Sequence, residues 1–134
     1  MGPLPHTESH PRIDRRKIGA AAEDVAAAYL QAQGAQLLFR NYRRRLGELD
    51  LVARHGELLL IVEVRTRSSN AYGGAAASVD GLKRRRIVRA AQQLLQKHRE
   101  LSRLRARFDV IVVSDPSAAS PKVDWIRGAF DAAT

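Results

Sequence analysis

The segment from Gly47 to Val52 alternates acidic with apolar side chains. Successive side chains of a β-strand point to opposite faces, so a strand here would place Glu48 and Asp50 on one face and the leucines between them on the other. Two carboxylates on one face repel each other unless a cation lies between them. This segment is therefore a candidate for metal chemistry.

A second candidate strand, from Leu58 to Arg65, places Glu63 and Arg65 on one face by the same rule. His55-Gly56 is typical of a tight connection, so we expect the two segments to pair as an antiparallel hairpin. If their polar faces match, the acids of both strands converge with Arg65, and an oxygen-ligand Mg²⁺ site results. The alternative is a solvated face on which Glu63 pairs with Arg65 or with a cross-strand arginine.

Glu23 and Lys83 extend the candidate site from two predicted helices. Glu23 lies at the border of the apolar face of a helix predicted for Arg16 to Gln33, from which it can face the sheet. The alternative is an exposed glutamate that the helix dipole favours. Lys83 lies amid the apolar stripe of a helix predicted for Val79 to His98. We expect its ammonium either to reach the acidic patch or to extend to solvent.

The charge balance favours a polyanion as the partner. The sequence has 23 basic and 14 acidic residues, a net charge of +9, and residues 40–107 carry 17 and 6 of them, a net charge of +11. Nineteen of the cations are arginines, whose planar fork suits phosphate. We therefore predict a nucleic acid, with DNA favoured, rather than a basic surface that serves only solubility.

The same composition excludes several classes of protein. Without cysteine the chain has no disulfide framework, thiolate zinc site, iron–sulfur cluster or cysteine nucleophile. No apolar run approaches the length of a membrane span or the core of a signal peptide. These features predict a cytoplasmic protein that makes no membrane contact.

The periodicity predicts one α/β domain over residues 16–134, after a flexible proline-rich leader at residues 1–15. Ser68 to Ser78 has the composition of a loop. Besides the two helices, the predicted elements are strands at Gln36 to Tyr42, Gly47 to Ala53, Leu58 to Arg65 and Arg107 to Ser114, with a short edge strand at Lys122 to Ile126. The core order α-β-β-β-α-β predicts a sandwich in which a central mixed sheet is flanked by helices.

Six short motifs resemble a known family when they are taken together. They are Gly19-x3-Glu23, Arg40-Asn41-Tyr42-Arg43, Gly47-Glu48-Leu49-Asp50-Leu51, Val62-Glu63-Val64-Arg65-x-Arg67, Lys83-x2-Arg86-Ile87 and Arg107-Phe108-Asp109-Val110. In this order and spacing they resemble the bacterial YraN family of small proteins. That family is similar in turn to archaeal Holliday-junction resolvases and to the PD-(D/E)XK nuclease superfamily. The resemblance implies a restriction-endonuclease-like sandwich and, because the resolvases act as dimers, a homodimer.

The resemblance also implies roles for individual residues. Asp50 and Glu63 would hold Mg²⁺ or Mn²⁺, and Glu23 would complete the catalytic site. Arg65 stands where superfamily nucleases have the lysine of a Glu-x-Lys pattern. An arginine can clamp the scissile phosphate with its fork, but it stays protonated and cannot act as a base. Lys83 is a candidate to replace the missing lysine.

Three functions are compatible with this pattern. The leading one is a metal-dependent endonuclease-like activity on DNA, including branched or non-duplex DNA. The second is a nucleic-acid-binding module that keeps the nuclease fold without cleavage. The third is a basic adaptor for an acidic protein, which does not explain acids inside a basic field.

The nucleic-acid contacts are predicted to come from cations that flank the carboxylates along the chain. These are Arg40, Arg43, Arg44, Arg45, Arg67, Lys83, Arg84, Arg85 and Arg89. Tyr42 and Tyr72 lie among them and could stack on an unpaired base, or else pack in the core with an exposed hydroxyl.

Overall fold

The computed structural model describes residues 14–67 and 78–132. Its elements are α1 (Arg15–Ala32), β1 (Gln36–Arg44), β2 (Gly47–His55), β3 (Leu58–Arg67), α2 (Gly81–Lys97), a 3₁₀ helix (Arg99–Arg103), β4 (Arg105–Ser114) and β5 (Lys122–Phe130). Of the predicted leader and loop, only Asp14, Arg15 and Ser78 lie within the described residues, and Arg15 is already the first residue of α1. No helix in the described ranges is long and apolar enough to cross a membrane.

One five-stranded sheet, in the order β1-β2-β3-β4-β5, forms the centre of the protein. β1, β2 and β3 make the predicted antiparallel meander, β4 lies parallel to β3, and β5 runs antiparallel to β4. The predicted mixed α/β sandwich is confirmed, and it is compatible with a restriction-endonuclease-like sandwich. The edge strand is longer than predicted, since it continues from Ile126 to Phe130.

α1 packs on one face of the sheet through small side chains. Ala22, Ala26 and Leu30 recur at helical spacing and are fully buried against sheet residues such as Leu60 and Ile111. Before the helix, Asp14 accepts hydrogen bonds from the backbone N–H groups of its first turn. The alanine-lined face lets the α1 backbone approach the sheet closely.

α2 packs on the opposite face through Ile87, Ala90 and Leu94. The β1–β2 hairpin meets this helix at Gly47, where an added Cβ would collide with the backbone carbonyl of Arg86. Only glycine permits this close approach. The contact therefore fixes the start of β2 against the helix that carries Lys83.

β3 lies in the middle of the sheet and is covered on both faces. Residues 59 to 63 are all buried, with Leu59 and Ile61 facing α2 while Leu60 and Val62 face α1. A continuous apolar run is typical of such a central strand. Glu63 is the first polar residue after this run, so the strand carries it to the edge of the core.

A buried acid joins β4 to β5. Asp109 is fully buried, and each of its oxygens accepts two hydrogen bonds of 2.9 Å. Oδ1 accepts from Arg107 Nε and Gly128 N, and Oδ2 accepts from Arg107 Nη2 and Trp125 Nε1. The β4–β5 register shifts at this point, so the carboxylate stabilises an irregularity where ladder hydrogen bonds are interrupted.

Candidate active site

Asp50 lies where β2 separates from β3. The ladder between these strands pairs Leu51 with Val62 and continues to the hairpin, but it does not extend to Asp50. Instead, Val64 N donates a hydrogen bond of 2.9 Å to Asp50 Oδ2. The Asp50 side chain thus accepts a hydrogen bond from a backbone N–H group at the point where the β2–β3 ladder stops. This hydrogen bond fixes the direction of the carboxylate.

The strict alternation predicted for β2 is wrong at this point. Leu49 packs in the core on the α2 side, whereas Leu51 packs in the core on the α1 side. The part of β2 before Asp50 pairs with β1 but not with β3. Without this second neighbour, the strand can rotate so that its side chains exchange faces. Glu48 accepts a hydrogen bond of 2.6 Å from Arg43 Nε, and its charge acts on Glu23.

Glu63 faces α2 at the end of the buried part of β3, and its side chain is only 6% exposed. Two cations contact the same oxygen, Oε2: Arg65 Nε at 3.3 Å and Lys83 Nζ at 3.5 Å. The ammonium of Lys83 therefore reaches the acidic patch. The pairing of Glu63 with Arg65, which the sequence left open as an alternative, is present as well.

The environment of Glu63 strongly favours its neutral form. Burial raises its pKa, the neighbouring carboxylate of Asp50 raises it further, and the opposing effects of Lys83 and Arg65 leave it at about 7. The buried carboxyl group of Glu63, in hydrogen-bond contact with Asp50, thus titrates near neutral pH. Such pairs are typical of catalytic and cation-binding sites, although structural ion pairs also produce them.

Glu23 faces the sheet from α1, which is the first of its two predicted placements. Burial raises its pKa, and the charge of Asp50 acts in the same direction. Its carboxylate accepts a hydrogen bond from the Asn41 side chain and lies 3.7 Å from Arg40 Nη2. Within residues 14–67 and 78–132, no three His, Cys, Asp or Glu side chains form a cluster that could hold a metal. Among those residues, Asp50 and Glu63 are therefore a pair without a third acidic or imidazole ligand in place.

Several of the predicted nucleic-acid contacts have acidic partners. Arg40 Nη2 donates to Asp24 Oδ1 at 2.9 Å, and Arg67 Nη2 donates to Asp124 Oδ2 at 3.2 Å. The Arg40–Asp24 pair is exposed, so it contributes little to stability, whereas the Arg67–Asp124 pair is partly buried. The pair of Arg43 with Glu48 is exposed as well.

The other predicted contacts lie on the hairpin that joins β1 to β2 and on α2. Arg44, Arg45, Arg85 and Arg89 are exposed, and Arg84 is half-buried. The Arg44 guanidinium lies over the Tyr42 ring, 4.2 Å from its centroid. The hairpin packs on α2 at Gly47, which brings these two basic segments together on the α2 side of the sheet.

Tyr42 is a core residue. Its side chain belongs to the α2-side core and packs edge-on against Phe39, with ring centroids 5.4 Å apart. The interpretation of Tyr42 as a stacking platform is therefore wrong, since the ring is not available to a base. Tyr72 lies outside the described residues.

Asn41 is a site residue that sequence reasoning did not single out. It has a φ of 51°, in the left-handed region where Asn is tolerated better than other residues with a side chain. This backbone conformation accompanies its contact with Glu23 across the α1–β1 boundary. The available signal was an Asn at the penultimate position of the predicted strand Gln36 to Tyr42, since Asn is depleted in strands.

Comparison with known proteins gives one consistent result. The sequence model of the uncharacterised protein family UPF0102 matches residues 22–113. A UPF0102 protein of Methylococcus capsulatus is 50% identical over 118 residues, which cover 88% of this chain and 94% of that protein. A UPF0102 protein of Frankia casuarinae is 51% identical over 113 residues, covering 84% and 95%. The predicted YraN-like family is confirmed: the chain belongs to the uncharacterised protein family UPF0102.

Proposed function

We propose that this protein binds nucleic acid, with DNA favoured, and hydrolyses phosphodiester bonds with the help of a divalent cation held by Asp50 and Glu63. The observation that carries the proposal is the meeting of these two carboxyl groups at the end of the central strand, with Arg65 and Lys83 both within 3.5 Å of Glu63. The basic hairpin and α2 supply the surrounding positive charge. The resemblance to PD-(D/E)XK nucleases supports the same assignment.

The donor set suits a hard divalent cation. Carboxylate oxygens are the ligands that Mg²⁺ and Mn²⁺ accept, and Mg²⁺ often binds through one or two carboxylates while substrate phosphate and water complete its shell. Burial and the neighbouring charge of Asp50 raise the pKa of Glu63, so a cation bound between the two carboxyl groups would favour their ionised forms. When bound, such a cation polarises a phosphoryl oxygen and lowers the pKa of a coordinated water.

The two cations at Glu63 are suited to hold the phosphate. A guanidinium has five N–H donors and an ammonium has three, so contact with one carboxylate oxygen leaves donors on both groups. Arg65 can present two parallel donors to a phosphate, and Lys83 adds a compact charge from the α2 side. In this proposal, Arg65 clamps the scissile phosphate. Lys83 replaces the lysine of the Glu-x-Lys pattern, which this chain lacks at position 65.

The second candidate function is nucleic-acid binding without hydrolysis. It is favoured by Arg65, which cannot accept a proton, and by the absence of a third acid at the Asp50–Glu63 pair within the described residues. Both candidates require binding that weakens with salt, with log K falling by about 0.9 per phosphate neutralised for each unit of log salt. The two functions differ in cleavage, because only hydrolysis requires divalent cations and Lys83.

Asp50→Asn is expected to abolish binding of Mn²⁺ to the folded protein. The variant removes one negative charge, while its amide oxygen can still accept the hydrogen bond from Val64 N, so the strand end is retained. In the wild type, Mn²⁺ affinity should rise with pH through about 7, because the raised pKa of Glu63 keeps that carboxyl protonated below this value. Isothermal titration calorimetry between pH 6 and 8 measures both effects.

Glu48→Gln is the matched control for the metal experiment. Glu48 lies two residues before Asp50 on the same strand, but it pairs with Arg43. The Glu48→Gln variant should therefore bind Mn²⁺ like the wild type. A wild type that releases no heat with Mn²⁺, in the presence or absence of DNA, would remove the metal site from the proposal.

Lys83→Ala is expected to lower DNA cleavage about 100-fold, the order of loss seen when a positioned charge or proton donor is removed from an active site. Affinity for DNA should change little, because many other cations contribute to binding. The measurement is cleavage of labelled four-way junction, flap and single-stranded DNA with Mg²⁺ or Mn²⁺. Lys97→Ala, in the last turn of the same helix, is the matched control.

Arg65→Lys separates the tasks of the two cations. A point charge cannot reproduce two parallel hydrogen bonds to phosphate, so we expect cleavage to fall in this variant as well. A rise in cleavage would instead show that position 65 itself needs a group able to act on water. If wild type and all variants bind DNA but none cleaves it, the binding module is the correct function.

A further inference from the structure

A groove of about 570 Å³ lies between the start of α1 and β1, on the face of the sheet that α1 covers. Arg15, Arg16 and Gly19 line it from α1, and Asn41 and Arg43 line it from β1, with Glu23 between the two sets. Its volume falls within the range of roughly 300–1,000 Å³ that is typical of pockets for small organic ligands. The groove therefore has room for a ligand of nucleotide size.

The groove carries an excess of positive charge. Three guanidinium groups line it against one carboxylate. Arg43 pairs with Glu48, whereas Arg15 and Arg16 form no ion pair within the part of the chain that the structure describes. Both are exposed, so their donors are available to a phosphate.

The interior offers polar groups and space. Glu23 and Asn41 supply a carboxylate and an amide, both of which can hydrogen-bond to the edges of bases. At Gly19, an added Cβ would meet no atom within 4 Å, so this part of α1 borders open space. A helix interior disfavours glycine, and here the missing side chain keeps the groove wide.

Asn41, which lines the groove, lies beside Asp50 in the sheet, because the β1–β2 register pairs Arg40 with Leu51 and Tyr42 with Leu49. We propose that the groove binds one unpaired nucleotide of a nucleic-acid strand, with its phosphate at the arginines and its base near Glu23 and Asn41. The adjoining phosphate of the same strand then lies toward Asp50 and Glu63. This inference rests on the proposed function and narrows its substrate to strands with an unpaired segment.

An intact duplex does not fit this arrangement. A base that is still stacked and paired cannot enter a groove on the protein surface, and enzymes that contact single bases in this way must take them out of the helix. Duplex binding would then use only the exposed cations outside the groove. The expected signature is a preference for single-stranded or branched nucleic acid over matched duplex.

Gly19→Leu tests the groove without endangering the fold. Leucine favours a helix more than glycine does, so the melting temperature should stay the same or rise. The new side chain fills the groove, and affinity for a fluorescein-labelled single-stranded 20-mer should fall about tenfold, while affinity for the matched duplex stays within about twofold. Fluorescence anisotropy at one fixed salt concentration measures both affinities.

Ala28→Leu is the matched control, because it adds a leucine to an exposed position of α1 away from the groove. It should bind both probes like the wild type. Single-strand affinity that is unchanged in Gly19→Leu, in a protein whose binding remains salt-dependent, would overturn the groove but leave the proposed function intact. Equal losses of affinity for both probes would show that the groove is a general phosphate-binding surface. They would overturn the proposal that it holds an unpaired nucleotide. A wild type that binds neither probe would refute the proposed function, and the groove with it.

Discussion

Asp109→Asn is expected to lower the free energy of unfolding by about 3–5 kcal/mol, the usual cost of breaking a buried, hydrogen-bonded ion pair. Each carboxylate oxygen of Asp109 accepts two hydrogen bonds, and all four donors are fixed by the strands around it. Whichever way the asparagine amide is oriented, its NH₂ group faces two N–H donors. Chemical denaturation followed by circular dichroism measures the loss.

Asp124→Asn provides the comparison for this result. Asp124 lies on β5, pairs with Arg67 at 3.2 Å and has a side chain that is 46% exposed. Exposed ion pairs contribute roughly 0–1 kcal/mol, so this variant should unfold close to the wild type. If Asp109→Asn were no less stable than Asp124→Asn, the Arg107–Asp109 pair would have no structural role.

Glu63→Gln is expected to stabilise the protein at pH 8 by about 3 kcal/mol. The pKa of Glu63 rises from 4.5 to about 7 on folding, so the folded state binds a proton more tightly than the unfolded state. Stability from this group is therefore highest below pH 4.5 and falls as the pH rises to about 7. A shift of this size corresponds to about 3 kcal/mol, because one pKa unit is about 1.4 kcal/mol.

The measurement is the free energy of unfolding of wild type and variant at pH 4, 6 and 8. The difference should be near zero at pH 4, where Glu63 is protonated in both states, and should grow as the pH rises. Glu57→Gln, at a glutamate that is 89% exposed, should show no such growth. A Glu63→Gln protein that is less stable than wild type at pH 8 would mean that Arg65 and Lys83 outweigh the cost of burial.

The local patterns were sufficient to predict the framework of the fold. Apolar residues at helical spacing in α1 and α2, and the continuous run Leu58 to Val62, gave the right elements with small errors at their ends. The connection predicted at His55-Gly56 is a two-residue turn one position later, at Gly56 and Glu57. The 3₁₀ helix at Arg99–Arg103 was missed, because one turn of helix has almost no periodicity to detect.

The candidate site was harder to predict, because it depends on tertiary contacts. Glu63 and Asp50 could be placed together from alternation and pairing, but the reversal of faces between Leu49 and Leu51 arises where one strand loses a neighbour. The burial of Tyr42 likewise depends on α2 covering that face. The sequence pattern also does not predict which acid an arginine pairs with, as the Arg40–Asp24 pair shows.

The hydrogen bond from Val64 N to Asp50 Oδ2 orients the carboxylate before any ligand arrives. Ordering a free carboxylate during binding costs side-chain entropy, and here that loss already occurs during folding. Asp50 Oδ1 takes no part in this bond. Affinity at this corner of the sheet is therefore linked to the local stability of β3: fraying of the strand at Val64 would release the carboxylate and weaken binding without any change in the residues that touch the ligand.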